Sequence, residues 1–254
     1  MNRNLRFAVV AWAMFGLSAT AAPAGAPSVV EVGDGLPMVN GGFTPKALPR
    51  GKPAHVAMDI SLHQPGDASS PALHEVVLEL DRNITVDAKG MAICPPGTVE
   101  GPPLPQGCQS ASIGRGEIEI EVAFPEQVPF IVKSKLLAFN AGARGGKTTM
   151  RAYAYLGSPV SAAIVINVEI SKIHDGRYGT KWVETIPKIA GGYGSIKSLN
   201  LLIDRRYRDE GEVESYLLGR CPDGHLDARA TSVFTDASER TDSFVRSCSP
   251  VLPR

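Results

Sequence analysis

The chain reads as an all-β protein, an antiparallel β-sandwich or barrel-like fold of Greek-key type behind an N-terminal signal peptide. Three observations predict this. Short segments of apolar–polar alternation recur along the chain, clusters of Gly, Pro, Asn and Asp separate them, and no helix of ten or more residues is evident after the leader. Many short strands at such spacing make a sandwich or a barrel.

The leader comes first. Arg3 and Arg6 give residues 1–21 a positive start, residues 7–17 are apolar, and Ala19, Thr20 and Ala21 offer small side chains to a signal peptidase. The apolar run is too short to span a bilayer, which takes about 20 residues. No later segment approaches that length, and no cysteine near the start offers a lipid attachment point. The sequence therefore predicts a mature chain without a transmembrane segment, beginning near Ala22, secreted or held in the periplasm or cell envelope.

Residues 22–45 are rich in Gly, Pro and Ala and are expected to be a flexible lead-in. Residues 46–254 are expected to form one β-rich domain. A faint echo leaves two related β lobes as the alternative: 78–97 and 201–224 each carry a strand ending in Asp-Arg and then Cys-Pro-x-Gly.

Within the domain, residues 55–62 (HVAMDISL) set Val56, Met58, Ile60 and Leu62 against His55, Ala57, Asp59 and Ser61. Residues 117–122 (EIEIEV) set three glutamates against Ile118, Ile120 and Val122. Further strands are expected over 74–81, 128–139, 148–156, 162–173, 179–186, 196–207, 213–220 and 228–234. Residues 141–148 (AGARGGKT) approach a phosphate-binding loop, but the required first glycine is Ala141. The alternation after Lys147 is that of a strand rather than a helix. The segment reads as the tip of a β-hairpin whose glycines supply positive φ.

Four cysteines follow the leader: Cys94, Cys108, Cys221 and Cys248. An even number in an exported chain predicts disulfides. Of the three possible pairings, the local one, Cys94–Cys108 with Cys221–Cys248, is expected. Its first bridge closes a proline-rich loop, which is worth roughly 3 kcal/mol on a chain-entropy argument. No Cys-x-x-Cys or Cys-x-x-His pair is present to grip zinc.

Composition narrows function by exclusion. The formal net charge is zero, or −2 without Arg3 and Arg6, so the basic excess of a nucleic-acid binder is missing. His55 and His63 share a strand face with Asp59, but an extended strand sets them roughly 26 Å apart, too far for one ion. His174 and His225 fall in Asp-Gly turns, and His74 starts a strand. No G-x-S-x-G elbow surrounds a serine, Ser195 included, and no serine has lysine three residues on. The Glu117, Glu119, Glu121 row reads as a solvated face. Arg151, Tyr153 and Tyr155 share one strand face, with Trp182 on a nearby strand, and form the candidate binding surface. Asn83-Ile84-Thr85 is a glycosylation sequon.

The segments RYGTKWVETIPKIAGGYGSI (177–196), SYLLGRCPDG (215–224) and FPEQVPFIVKSKLLAFNAG (124–142) resemble a group of uncharacterised exported bacterial proteins, over most of the chain from residue 43 onward. The resemblance implies bacterial origin, export and a β-rich body, and it supplies no catalytic residue, cofactor or ligand. The combined expectation is a disulfide-stapled binding or structural protein at the cell surface or in the envelope. An envelope glycan or protein is its candidate partner, and no cofactor is assigned. Two alternatives stand beside it. A secreted hydrolase assembled across strands would need two converging carboxylates, or a His and an acid in a pocket. A carrier of an apolar ligand would need a large apolar cavity.

Overall fold

The structure, a computed structural model, describes residues 38–66, 70–97, 106–157 and 161–251. The leader and the lead-in up to residue 37 lie outside the described residues. The strands in chain order are β1 (Val39–Thr44), β2 (Ala47–Pro49), β3 (Ala54–His55), β4 (Ala57–His63), β5 (Leu73–Asp81) and β6 (Ile84–Val86). They continue as β7 (Ser112–Val122), β8 (Phe130–Arg144), β9 (Lys147–Leu156), β10 (Ala162–Asp175), β11 (Tyr178–Thr185) and β12 (Gly194–Ile203). The last are β13 (Arg206–Asp209), β14 (Glu212–Ser215), β15 (Leu217–Gly219), β16 (His225–Phe234), β17 (Glu239–Ser247) and β18 (Ser249–Val251).

Eleven of these strands form one antiparallel sheet in the order β1-β4-β12-β7-β8-β9-β10-β11-β5-β16-β17, which curls into a nearly closed barrel. Hairpins link β7 through β11 in succession. Long returns, of the kind a Greek key uses, bring β5 beside β11 and β12 beside β7. The β8–β9 turn is the two-residue tip Gly145-Gly146, with φ of 60° and 79°, and Arg144 pairs with Lys147 across it. AGARGGKT is thus a hairpin, as its alternation predicts. β1 falls inside the segment read as a flexible lead-in. It pairs with β4 over six residues, Val39↔Leu62 to Thr44↔Ala57.

Curvature requires close strand approach, and small residues permit it. A Cβ on Gly116 of β7 would lie 1.8 Å from the Asn200 carbonyl oxygen on β12. Alternate residues of every long strand point inward, so Ile118 and Ile120 of β7, Ile166 and Val168 of β10, and Trp182 of β11 meet in one core. Of the outward glutamates of β7, Glu117 is exposed, Glu119 pairs with Lys133 at the surface, and Glu121 pairs with Lys197 in a largely covered position.

The barrel closes between β1 and β17 through side chains. The Asp242 carboxylate accepts from the N–H groups of Met38 and Val39, at 3.0 Å each. Arg246 donates to the Gly41 carbonyl at 2.7 Å and to the Asn40 side-chain oxygen. Asp242 and Arg246 thereby occupy backbone groups that an open edge would present to other chains.

The two ends differ. At the end carrying the β8–β9 and β10–β11 turns, the small sheet β3-β15-β6 lies over the core, with Ile84 and Leu217 packed against it. The Cys221–Cys248 disulfide, with Cα atoms 6.1 Å apart, staples that end. The Cys94–Cys108 disulfide sits instead outside the wall, in a second cluster with Ala111, Phe139 and Tyr153. Both bridges are the local pairs expected from the sequence. The opposite end, where β7–β8, β9–β10 and β16–β17 turn, carries the site described next.

Candidate interior binding site

Inside the barrel a slot of about 30 Å³ runs between strand faces, lined by Ile60, Leu136, Met150, Ile166, Val168 and neighbours of the same kind. Every lining side chain is aliphatic or methionine except one, Glu184. β11 puts it there by simple alternation. Thr180, Trp182, Glu184 and Ile186 take the inward positions, and Lys181, Val183 and Thr185 the outward ones. In register, Glu184 stands between Val168 of β10 and Val76 of β5, both buried. Glu184 itself is half-buried.

Glu184 makes no hydrogen bond or ion pair among the described residues. Burial alone pushes its carboxyl up to about 7, with no charged neighbour acting on it. One inward position deeper, Trp182 is fully buried and its indole Nε1 has no acceptor. Two polar groups without protein partners therefore sit side by side on the inner face of β11.

A separate vestibule of about 660 Å³ lies at the barrel mouth, and Ile186 and Ile196 line both spaces. His74, Glu121, Lys188 and Ser195 give the vestibule its polar character. Tyr193 lines it, and the Tyr193 ring lies 5.5 Å from that of Phe124, which lies 6.3 Å from Phe130, ring centre to ring centre. Val128 and Tyr193 are exposed. The segment between β11 and β12 bends over the mouth through Ala190–Gly192, where Ala190, Gly191 and Gly192 have positive φ.

The residues singled out from the sequence go elsewhere. Arg151, Tyr153 and Tyr155 do share the outer face of β9, but Tyr153 is buried beneath the Cys94–Cys108 loop. Arg151 donates to the carbonyls of Cys94 and Pro95 and so ties that loop down. The Tyr155 hydroxyl meets Ser161 at 2.6 Å. Trp182 points the opposite way, into the barrel. The four therefore form no single exposed surface. For Tyr153 the cause is the Cys94–Cys108 disulfide packed against it on the outer wall, and for Trp182 it is the inward position it takes on β11. Asn83 is buried and donates from Nδ2 to Asp81 at 2.8 Å, which withdraws the sequon from solvent.

Two polar constellations lie apart from the slot. His55 Nδ1 meets Ser215 Oγ at 2.5 Å, and burial and Arg206 hold the imidazole below its ordinary value. Ser215 is buried and its hydroxyl donates to the Leu217 carbonyl at 3.0 Å. Neither residue lines the slot or the vestibule. Arg177 bridges Asp81, Asp223 and Asp227. Asp81, fully buried, also accepts from the Asn83 and Asp227 N–H groups. This is a satisfied structural network at the stapled end.

Fold and site together define a class: a disulfide-stapled antiparallel β-barrel with a narrow apolar interior lined by one ionisable group, Glu184, and a larger vestibule at one end. Comparison with known protein families, curated proteins and solved structures returns no match for this chain.

Proposed function

We propose that this is an exported binding protein that takes a small amphipathic ligand in the vestibule at the mouth of its barrel. The vestibule's volume of about 660 Å³ and its mixed lining of apolar and polar side chains carry this reading. Export is supported by the leader and by the two disulfides, which persist in oxidising compartments. The interior slot of about 30 Å³ holds about two waters by the measure at which one water takes roughly 10–15 Å³. It leaves no space for an alkyl chain or a ring system, so an apolar cargo inside the barrel is not the reading.

Titrating the exported, disulfide-bonded protein with octan-1-ol is expected to give a saturable heat of binding in calorimetry. The thermal midpoint should rise with it, since a ligand at a hundred times its Kd stabilises the native state by about 2.7 kcal/mol. A linear, unsaturable response with no midpoint shift would overturn the reading.

A further inference from the structure

We propose that the stapled end of the barrel, opposite the vestibule, binds a phosphate monoester, whose dianion is held by Arg82 and Lys172 at a cavity of about 490 Å³. The site is separate from the vestibule and stands independently of what the vestibule binds.

The cavity forms where the inward face of the wall changes character. Along β10 the inward positions run Ile164, Ile166, Val168 and Ile170, all buried, and the next on that face is Lys172. Register sets Thr148 of β9 beside Ile170, and Thr180 of β11 beside Lys172. The buried Thr180 hydroxyl is engaged, donating to the Ile84 carbonyl at 3.2 Å. Arg82 comes from the turn between β5 and β6. Its N–H donates to the Arg177 carbonyl at 2.9 Å, and a Cβ on Gly179 would lie 2.6 Å from the Arg82 Cα, so this turn sits close against β11.

The charge at the cavity is one-sided. Arg82, Lys172 and His174 line it, and among the described residues no carboxylate does. None of these three side chains has a hydrogen bond or ion pair among the described residues. The carboxylates beside them in the chain are engaged elsewhere, Asp81 with Arg177 and Asp175 with Arg229. Two cations without a counter-charge match a dianion, and a phosphate monoester carries about −1.5 to −2 at pH 7. A carboxylate brings one charge and leaves the second cation unanswered. Arg82 offers a planar fork of donors and Lys172 a point charge, while Thr85, Thr148 and Ser171 add hydroxyls for the remaining oxygens. The volume suits a small organic molecule rather than a bare ion, and Val86, Ile170 and Ile173 give its body an apolar side. Gly146 and Thr148 of the AGARGGKT hairpin border this space, but Lys147 does not line it and pairs with Glu169. The hairpin thus adjoins an anion site that other residues build.

The test uses phenyl phosphate, sodium benzoate and benzyl alcohol against the full exported chain, with binding read by calorimetry. Phenyl phosphate is expected to bind saturably, at least about tenfold more tightly than benzoate, with benzyl alcohol weaker still. Arg82→Gln and Lys172→Gln change exposed residues, and circular dichroism checks their folds. Each is expected to weaken phenyl phosphate by about tenfold or more. Lys133→Gln removes a cation that pairs with Glu119 on the outer wall and should change the affinity by less than about twofold. Vesicles of phosphatidylcholine with and without phosphatidic acid distinguish the sources of the ester. Binding only to the phosphatidic acid vesicles, lost in both variants, assigns the phosphate to a lipid headgroup, and phenyl phosphate binding without vesicle binding assigns it to a soluble molecule. No saturable phenyl phosphate binding, equal affinity for benzoate, affinity retained in both variants, or an equal loss in Lys133→Gln would each overturn the proposal.

Discussion

Glu184→Gln isolates the energetic consequence of a carboxyl in an apolar barrel. Burial raises its pKa from 4.5 to about 7, so the folded protein holds this proton more tightly than the unfolded chain does. Between these two values the native state binds more protons, and stability falls as pH rises. This group's contribution is present in full below pH 4.5, falls progressively, and is gone above pH 7. A shift of about 2.5 units at 1.36 kcal/mol each amounts to about 3 kcal/mol. Gln mimics the protonated carboxyl and does not titrate. Urea unfolding of both proteins, followed by Trp182 emission with the disulfides intact, gives the difference directly from pH 4.5 to 8.5. Other titrating groups cancel in that difference. The variant should match the wild type at the acid end and exceed it by about 3 kcal/mol at pH 8. A difference that stays constant with pH, or that favours the wild type as pH rises, would refute the argument that Glu184 is buried without a partner.

Two further outcomes test the barrel itself. Asp242→Ala removes the acceptor of the Met38 and Val39 N–H groups, and each buried donor left unsatisfied costs about 1–3 kcal/mol. Amide exchange at the start of β1 should quicken and the thermal midpoint fall, whereas an unchanged midpoint would show that the seam closes by other means. Gly116→Ala sets a methyl 1.8 Å from the Asn200 carbonyl oxygen, and forced overpacking costs typically about 1–3 kcal/mol. Gly51→Ala meets nothing within 4 Å and serves as the neutral comparison in the same denaturant series.

Strands with one solvated face were legible in the sequence because alternation is the direct image of that geometry. β4, β5, β7 and β10 fall where their patterns put them. β17 did not, since ERTDSFVRS looks too polar for a strand. Its Asp242 and Arg246 are polar because they bind the backbone and side chains of β1 across the seam. β1 itself was hidden in a glycine-rich stretch. Gly41 is small because a Cβ there would lie 2.6 Å from the Asp59 carbonyl oxygen, a reason that no local pattern displays. The proposed aromatic surface failed to assemble for a related cause. Period-two reasoning tells which residues share a face but not which face is inside, nor that a disulfide loop covers the other. Glu184 did leave a trace: in GTKWVETI it takes the position of an apolar residue on the face that holds Trp182 and Ile186.

That misplaced glutamate gains meaning from how the protein treats its other buried carboxylates. Asp81 accepts from the Asn83 and Asp227 N–H groups and from Arg177, and Asp242 accepts from two N–H groups and contacts Arg240. Where a carboxylate serves the fold, donors converge on it, because an unpaired buried charge is costly. Glu184 has aliphatic walls and no donor, and the adjacent Trp182 Nε1–H has no acceptor. Leucine or methionine at 184 would fill the slot and remove a pH-dependent weakness of about 3 kcal/mol. A residue that lowers stability where an apolar one would raise it is a mark of functional sites rather than of core packing.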